Sequence, residues 1–146
     1  MFTLPMDEET TPVSATESRL VNEVLTSFFA RSKARAAALH PAYHAMWEHL
    51  ETCTVGGKRF RPRLVMTVYR LLDGNDTATA ATVAAAFELL HTALIVHDDV
   101  VDRDFARRGV PNVSGTYRNL AAAQGSSPER AEHTGMSVGV IAGDLA

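Results

Sequence analysis

The feature that most constrains this chain is an apolar segment, residues 83–96, that is followed almost at once by three aspartates, Asp98, Asp99 and Asp102. If the segment is helical, Asp98 and Asp102 have i, i+4 spacing and lie about 40° apart around the axis. His91 precedes Asp98 by seven residues and lies within about 20° of it on the same face. One helix face therefore carries an imidazole and, further along, two carboxylates.

The charge of this helix end needs compensation. Carboxylates at i, i+4 repel each other and destabilise a helix, and negative charge at a helix C-terminus opposes the helix dipole. Mg2+ is a natural counter-ion, since proteins typically hold it with one or two carboxylates plus substrate phosphates. The alternative is a solvated acidic helix end without a ligand, and the motif alone does not decide between the two.

A basic segment, residues 56–63, precedes the aspartates. Gly56 and Gly57 leave its backbone free to turn and to approach a ligand. Its bases are Lys58, Arg59, Arg61 and Arg63. Pro62 predicts a helix start directly afterwards, over residues 64–72. Since a helix N-terminus attracts anions, the segment predicts a phosphate or diphosphate site, with a solvated basic turn as the alternative.

Two arginines, Arg107 and Arg108, follow the last motif aspartate by five and six residues, in a loop that contains Gly109 and Pro111. The guanidinium group is a rigid fork suited to phosphate. Carboxylates with a metal on one side and arginines on the other would clamp a diphosphate. The alternative is a salt-bridge network in which the arginines only neutralise the acids.

The remaining pattern predicts an all-α chain without a strand signal. Helical periodicity, caps and breakers place helices at about 16–39, 41–53, 64–72, 77–102, 112–123 and from 128 onward. In the last helix Gly135, Gly139 and Gly143 recur every four residues, and we expect this stripe to pack closely against another helix. Residues 1–15 are expected to be a loosely held leader, because they combine acids, threonines and prolines.

Length and composition narrow the class of protein. A chain of 146 residues with 46% hydrophobic residues fits one globular domain, and a net charge of −3 predicts no general affinity for nucleic acid. The single cysteine, Cys53, cannot form an internal disulfide, which fits a reducing compartment. Residues 83–96, interrupted by Glu88 and His91, are too short and too polar for a transmembrane segment. We expect a cytoplasmic protein.

Together, the basic and acidic motifs resemble those of the trans-isoprenyl diphosphate synthases, the polyprenyl synthetase family. The resemblance lies in Gly57-Lys58-Arg59-Phe60-Arg61-Pro62, His91, Asp98-Asp99-Val100-Val101-Asp102 and Arg107-Arg108-Gly109, in that order. It covers the chain from about residue 20 to its end. It implies a bundle of long helices around a central cavity, usually in a homodimer, with residues 16–146 as the N-terminal part of that domain.

The resemblance also implies a role for each motif residue. Asp98, Asp99 and Asp102 match the first aspartate-rich motif, which holds the Mg2+ ions that bind the diphosphate of an allylic substrate. Arg107 matches the arginine that contacts this diphosphate. The residues matching those that hold isopentenyl diphosphate are Gly57, Lys58, Arg61, His91 and Arg108. His97, next to Asp98, is expected to have a packing or supporting role and not a catalytic one.

The implied reaction is head-to-tail prenyl transfer. The allylic diphosphate loses pyrophosphate, Mg2+ stabilises the departing anion, and the double bond of isopentenyl diphosphate attacks the allylic cation. In the family, bulky residues four and five positions before the first aspartate form the floor of the cavity and stop elongation of the product. Leu94 and Ala93 stand there, and neither is aromatic. The resemblance therefore favours a geranylgeranyl or longer product, and geranylgeranyl diphosphate in an enzyme of actinobacterial type.

Two features depart from the family pattern. The chain contains no second D-D-x-x-D, and residues 115–134 are longer and more polar than the usual connection. Because the second motif is missing, we expect that these 146 residues are truncated on their C-terminal side, lack half of the metal site and are inactive alone. Residues 115–134 have no functional interpretation.

Two other functions stay open on the sequence. One is a non-catalytic subunit that tunes a partner's product length, although such subunits tend to lose the aspartates that this chain keeps. The other is a metal-dependent phosphohydrolase that uses His97, Asp98 and a further histidine such as His91. That chemistry would not need the basic segment, and it usually pairs neutral imidazole with transition metals.

Overall fold

The computed structural model describes residues 15–54 and 59–146, and over these residues the chain forms a bundle of six helices. They are α1 (Ala15–Ala37), α2 (Pro41–Thr54), α3 (Phe60–Leu71), α4 (Thr77–Val101), α5 (Val113–Ala123) and α6 (Pro128–Leu145). The prediction of an all-α chain is confirmed. The expected leader, apart from Ala15, lies outside the described residues, and so do Gly57 and Lys58.

Local signals in the sequence set the starts of three helices. The side chain of Asp76 caps α4 by accepting a hydrogen bond from the Thr79 amide at 3.0 Å. Asn112 caps α5, and Ser127 caps α6 immediately before Pro128. Short polar side chains in this position accept bonds from amides that have no partner inside the helix. The predicted starts of these helices are confirmed.

Helix α3 begins four residues earlier than predicted, at Phe60. Pro62 therefore lies within its first turn, where a missing N–H costs nothing because the first four amides have no intrahelical partner. Arg59 precedes the helix in a left-handed conformation, with φ of 43°. As a result, Arg61 and Arg63 lie on the first turn of α3 and not in a loop.

Helix α4 is the central element, packed against α1, α3 and α6. Its first half presents small side chains, so that α1 and α3 approach it closely. The buried residues of this cluster are Val21, Leu25, Met66, Ala80, Ala81, Ala84 and Ala85. A second cluster joins α1 and α2 to the second half of α4 through Phe29, Trp47, Leu50 and Val96.

By length and composition alone, α4 is the one helix of the described residues that is apolar enough to cross a membrane. It is longer than the apolar run that the sequence suggested, at 25 residues. In this fold it is a bundle helix, because three other helices pack against it and because the buried groups Glu88 and Asp99 lie on it.

The glycine stripe of α6 packs as predicted. A Cβ at Gly135 would lie 2.3 Å from the Ser114 carbonyl oxygen, and one at Gly139 would lie 2.3 Å from the Ser114 hydroxyl. A Cβ at Gly143 would lie 2.5 Å from the His97 ring. The stripe therefore lets α5 and α4 approach the backbone of α6. Residues 115–134 comprise most of α5, the loop that follows it and the start of α6.

A small antiparallel hairpin, β1 (Ala106–Arg107) and β2 (Val110–Pro111), joins α4 to α5 and was not predicted. Its turn residues, Arg108 and Gly109, both have positive φ, 53° and 80°. This is the backbone of a type I′ turn, the two-residue turn whose twist matches paired strands. An arginine at the first turn position is an uncommon signal, because asparagine, aspartate and glycine favour positive φ more strongly.

Candidate functional site

A cavity of 380 Å³ opens between the end of α2, the start of α3, the second half of α4 and the hairpin. Its lining includes the arginines and carboxylates Arg59, Arg61, Glu88, Asp99, Arg107 and Arg108, together with His91. Four arginines thus face two carboxylates, which leaves an excess of two positive charges. A concave site of this sign favours an anionic ligand.

Most of the predicted binding residues meet in this cavity. Arg61, His91, Arg107 and Arg108 line it together with Asp99. Gly57 and Lys58 are outside the described residues, but Thr54 and Arg59, which flank them in the chain, both line the cavity. Asp98 and Asp102 lie outside its lining and are exposed.

Asp99 differs in its surroundings from the other two aspartates. Its side chain is 6% exposed, and the Arg107 guanidinium binds it through Nη2 at 2.5 Å and Nε at 3.1 Å from Oδ1. This hydrogen bond, more than any other interaction, raises the pKa of Arg107. The salt-bridge alternative is therefore realised for this one pair, while the role of Asp99 as a metal ligand stays a prediction.

The end of α4 holds the backbone of Asp99 in place. The Asp104 amide donates to the Asp99 carbonyl at 2.8 Å, and the Arg103 amide donates to the Val100 carbonyl at 3.2 Å. Arg103 has a φ of 55°, so the helix ends in a Schellman motif. This ending bonds two of the last carbonyls of the helix and turns the chain toward the hairpin that carries Arg107.

Asn112 holds the hairpin on its other side. Its amide nitrogen donates to the Asp104 carbonyl at 2.8 Å, and its amide oxygen accepts from the Gly115 amide at 2.8 Å. A Cβ at Gly115 would overlap the Phe105 carbonyl oxygen, so only glycine fits there. Asn112 also lines the cavity. Sequence reasoning identified the start of the helix here but not the role of Asn112 in supporting the site.

His91 lies on the cavity wall with a lowered pKa. Burial is the main cause, the positive charge of Arg61 is the next, and the Glu88 carboxylate opposes both. The imidazole is therefore neutral near pH 7 and has one N–H to donate. Sequence reasoning noted Glu88 only as an interruption of the apolar run. In the structure Glu88 is 7% exposed and lines the same cavity, and a lone acid in an apolar run was the available signal.

Cys53 also lines the cavity. Desolvation is the main cause that raises the pKa of its thiol, and the negative charge of Asp99 is the second. Since the thiolate is the nucleophile, a raised pKa disfavours a nucleophilic role for this cysteine.

Asp98 and Asp102 form an exposed pair at the end of α4. Within residues 15–54 and 59–146, no cluster of three or more His, Cys, Asp or Glu side chains is arranged to hold a metal ion by itself. Two exposed carboxylates one turn apart nevertheless fit Mg2+, which commonly takes one or two carboxylates and completes its octahedron with water and phosphate oxygens. The paired carboxylate of Asp99 fits that role less well.

His97 lies on another side of α4 and contacts α6. Its Nε2 lies 3.2 Å from Asp144 Oδ1, and its ring rests on Gly143. His91 and His97 are six residues apart, which turns them about 120° from each other around the helix. The packing role expected for His97 agrees with these contacts, and the two histidines do not share one metal site.

Comparison with known proteins gives a consistent result. The family model described as polyprenyl synthetase matches residues 42–131. A prenyl transferase of Synechocystis is 45% identical over 62% of this chain and 28% of its own length. A geranylgeranyl diphosphate synthase of Sulfolobus acidocaldarius is 34% identical over 85% of this chain and 32% of its own length. The chain thus spans about a third or less of these relatives.

The fold is also similar to a solved structure. The crystal structure of a geranylgeranyl pyrophosphate synthase from Corynebacterium glutamicum, complexed with isoprenyl diphosphate and magnesium, matches with a TM-score of 0.77 and 26% identity. The match covers 89% of this chain and 38% of that protein.

Proposed function

The chain belongs to the polyprenyl synthetase family, and from that premise we propose that the protein is a prenyltransferase that condenses isopentenyl diphosphate with an allylic diphosphate. One observation carries the proposal. A positively charged cavity that contains Arg61, His91 and Arg108 lies beside an exposed pair of carboxylates, Asp98 and Asp102. This arrangement offers two neighbouring places for two diphosphate groups.

Isopentenyl diphosphate is assigned to the cavity. Arg61 and Arg108 supply guanidinium groups that bind phosphate oxygens at fixed positive charge. The neutral His91 adds an N–H donor without adding charge. Gly57 and Lys58, predicted for the same diphosphate, directly precede Arg59 in the sequence, and Arg59 lines the cavity.

The allylic diphosphate is assigned to Asp98 and Asp102, which would hold Mg2+ and through it the phosphate oxygens. When bound there, Mg2+ neutralises the charge that develops on the departing pyrophosphate. Arg107 would contact the same allylic diphosphate from the border between the two places, and its bond to Asp99 fixes its orientation. The structural neighbour from Corynebacterium is complexed with isoprenyl diphosphate and magnesium, which supports the two kinds of ligand in this proposal.

The product is proposed to be geranylgeranyl diphosphate or a longer chain. Leu94 lies one turn before Asp98 on the same exposed face and is 59% exposed. Leu90 lies one turn before Leu94 and is 53% exposed. A prenyl chain anchored at Asp98 would extend along this apolar strip. A homodimer and a cytoplasmic location complete the proposal, the latter supported by the free thiol of Cys53.

The test is condensation by the complete protein that carries these residues. Radiolabelled isopentenyl diphosphate is incubated with an allylic diphosphate and Mg2+, and prenyl products are separated by chain length. Asp98→Asn and Asp102→Asn should each lower kcat by about a hundredfold or more, because charge stabilisation of the leaving group is lost. Asp73→Asn, at an exposed turn before α4, is the matched control and should leave kcat unchanged.

The same assay separates the alternatives. No reaction of the pure protein, with activity restored by a second subunit, would assign it a non-catalytic role. Release of phosphate without chain growth would assign a phosphohydrolase. Either outcome would overturn the proposal.

A further inference from the structure

We propose that Arg59 is a further diphosphate-binding residue, contacting the phosphate oxygens of the substrate that occupies the cavity. This inference rests on the proposed function for the identity of that substrate. It assigns a role to a residue of the basic segment that the predicted binding set, Gly57, Lys58, Arg61, His91 and Arg108, left out.

The first observation is an unsatisfied buried donor. Nη1 of Arg59 is buried and has no hydrogen-bond partner among the residues that the structure describes. A guanidinium donor that is removed from water without a partner costs free energy, and charged donors cost the most. Natural proteins rarely leave such a group unpaired, so a ligand in the site is the natural partner.

The second observation is where the side chain lies. Arg59 lines the cavity together with Arg61 and Arg108. Arg107 is already bound to Asp99, which leaves these three arginines without an ion-pair partner among the described residues and Glu88 as the one other carboxylate on the wall. Several guanidinium groups around one concavity are complementary to a group that carries several negative charges.

The third observation is the backbone of Arg59, which has φ of 43° and ψ of 45°. For an arginine this left-handed conformation is unfavourable, and glycine would adopt it without strain. The Arg59 side chain forms no cap bond to α3 that would explain the choice. Strained conformations of this kind concentrate at binding sites, where a side chain is needed in spite of its backbone cost.

Arg63 gives the contrast within the same segment. It lies one helical turn after Arg59, and its amide donates to the Arg59 carbonyl at 3.2 Å. It is exposed and is not part of the cavity lining. The basic segment is thus divided, with Arg59 and Arg61 facing the cavity and Arg63 facing solvent.

The experiment measures binding of inorganic pyrophosphate to the complete protein by calorimetry, in the absence of divalent cations so that Asp98 and Asp102 hold no metal. Arg59→Gln should weaken binding by about tenfold to a hundredfold, the usual effect of losing a hydrogen bond from a charged donor. Arg63→Gln removes the same charge from the neighbouring turn and should change the affinity less than about twofold.

A second variant separates binding from folding. Arg59→Gly relieves the left-handed strain, so it should keep or raise the melting temperature while it weakens pyrophosphate binding as much as Arg59→Gln does. Unchanged affinity in Arg59→Gly would overturn the proposal and leave Arg59 a structural role. Equal losses of pyrophosphate affinity in Arg59→Gln and Arg63→Gln would also overturn the proposal, because the loss would then reflect net charge alone.

Kinetics distinguish this inference from the proposed function. If condensation is observed, Arg59→Gln should raise the KM for isopentenyl diphosphate and leave the KM for the allylic substrate unchanged. If the wild-type protein shows no condensation, the proposed function fails, and the pyrophosphate titration still decides whether Arg59 binds a diphosphate group.

Discussion

Among single residues, the contact with the clearest consequence is the ion pair between Asp99 and Arg107. The two side chains differ in exposure, since that of Asp99 is 6% exposed and that of Arg107 is 43% exposed. Removing one partner leaves the other charge unpaired, and an unpaired charge is costly only where water cannot reach it. The pair therefore predicts an asymmetry between its two substitutions.

We expect Arg107→Gln to destabilise the protein by about 3 kcal/mol, because it leaves a buried carboxylate unpaired. Asp99→Asn should cost about 1 kcal/mol, since the freed arginine can turn to solvent. Urea unfolding of both variants and the wild type measures the difference. Equal losses, or a larger loss for Asp99→Asn, would contradict the exposures seen here.

His91 predicts a dependence of stability on pH. Its pKa is lower in the folded protein than its ordinary value of about 6.5, so the unfolded chain binds the proton more readily. The contribution of the neutral His91 to the free energy of unfolding is therefore fully present above about pH 6.5, and it is lost as the pH falls below this value. His91→Gln removes this titration.

Urea midpoints at about pH 7.5 and about pH 5.5 test this prediction. The wild type should lose more unfolding free energy between the two than His91→Gln does. His133→Gln, at an exposed position on α6, is the control and should behave as the wild type does. An equal loss in His91→Gln and the wild type would show that burial and Arg61 do not act on this imidazole as described.

At the scale of elements, close approach between helices depends on glycine in α6. Helix propensity alone favours alanine over glycine by about 1 kcal/mol. At Gly135 an added Cβ would lie 2.3 Å from the Ser114 carbonyl oxygen and 2.9 Å from the Arg118 Cβ. Since the first of these atoms belongs to a helix backbone, it cannot move aside without shifting α5.

Gly135→Ala should therefore destabilise the protein by about 1–3 kcal/mol in spite of its better helix propensity. Ser137→Ala, on the solvent side of the same helix, should be neutral or slightly stabilising. Thermal unfolding followed by circular dichroism compares the two. A higher melting temperature for Gly135→Ala would show that α5 and α6 are packed more loosely than they are here.

For the whole molecule, the exposed apolar strip of α4 that contains Leu90 and Leu94 relates the fold to the proposed product length. Leu94 lies on the outward face with Asp98, while Ala93 is turned about 100° away and is partly buried. A larger side chain at Leu94 therefore lies directly in the path proposed for a growing prenyl chain. One at Ala93 acts there only by displacing its neighbours.

With the proposed activity, we expect Leu94→Phe to shorten the main product of the complete protein and Ala93→Phe to shorten it less. Product chain length is measured by chromatography after hydrolysis of the diphosphate. Ala123→Phe, at the exposed end of α5, serves as the control for a new exposed aromatic residue. Unchanged product length in both α4 variants would contradict this path for the prenyl chain.

Helix boundaries were largely predictable from the sequence, because caps and breakers act within a few residues of their own position. Asp76, Asn112 and Ser127 each begin a helix near the predicted place. The start of α3 was misplaced because proline is tolerated throughout the first turn. The hairpin was missed because Arg108 is an unusual residue for its turn.

The sequence by itself determined the all-α class, the order of the helices and the spacing of His91, Asp98 and Asp102, since these follow from helical geometry and local capping. Only the tertiary structure decided which side of α4 faces the cavity, because that depends on how α1, α3 and α6 pack around it. This packing turns Asp99 inward to Arg107 and leaves Asp98 and Asp102 exposed. It likewise separates Arg59 from Arg63, two arginines that the sequence alone presents as equivalent.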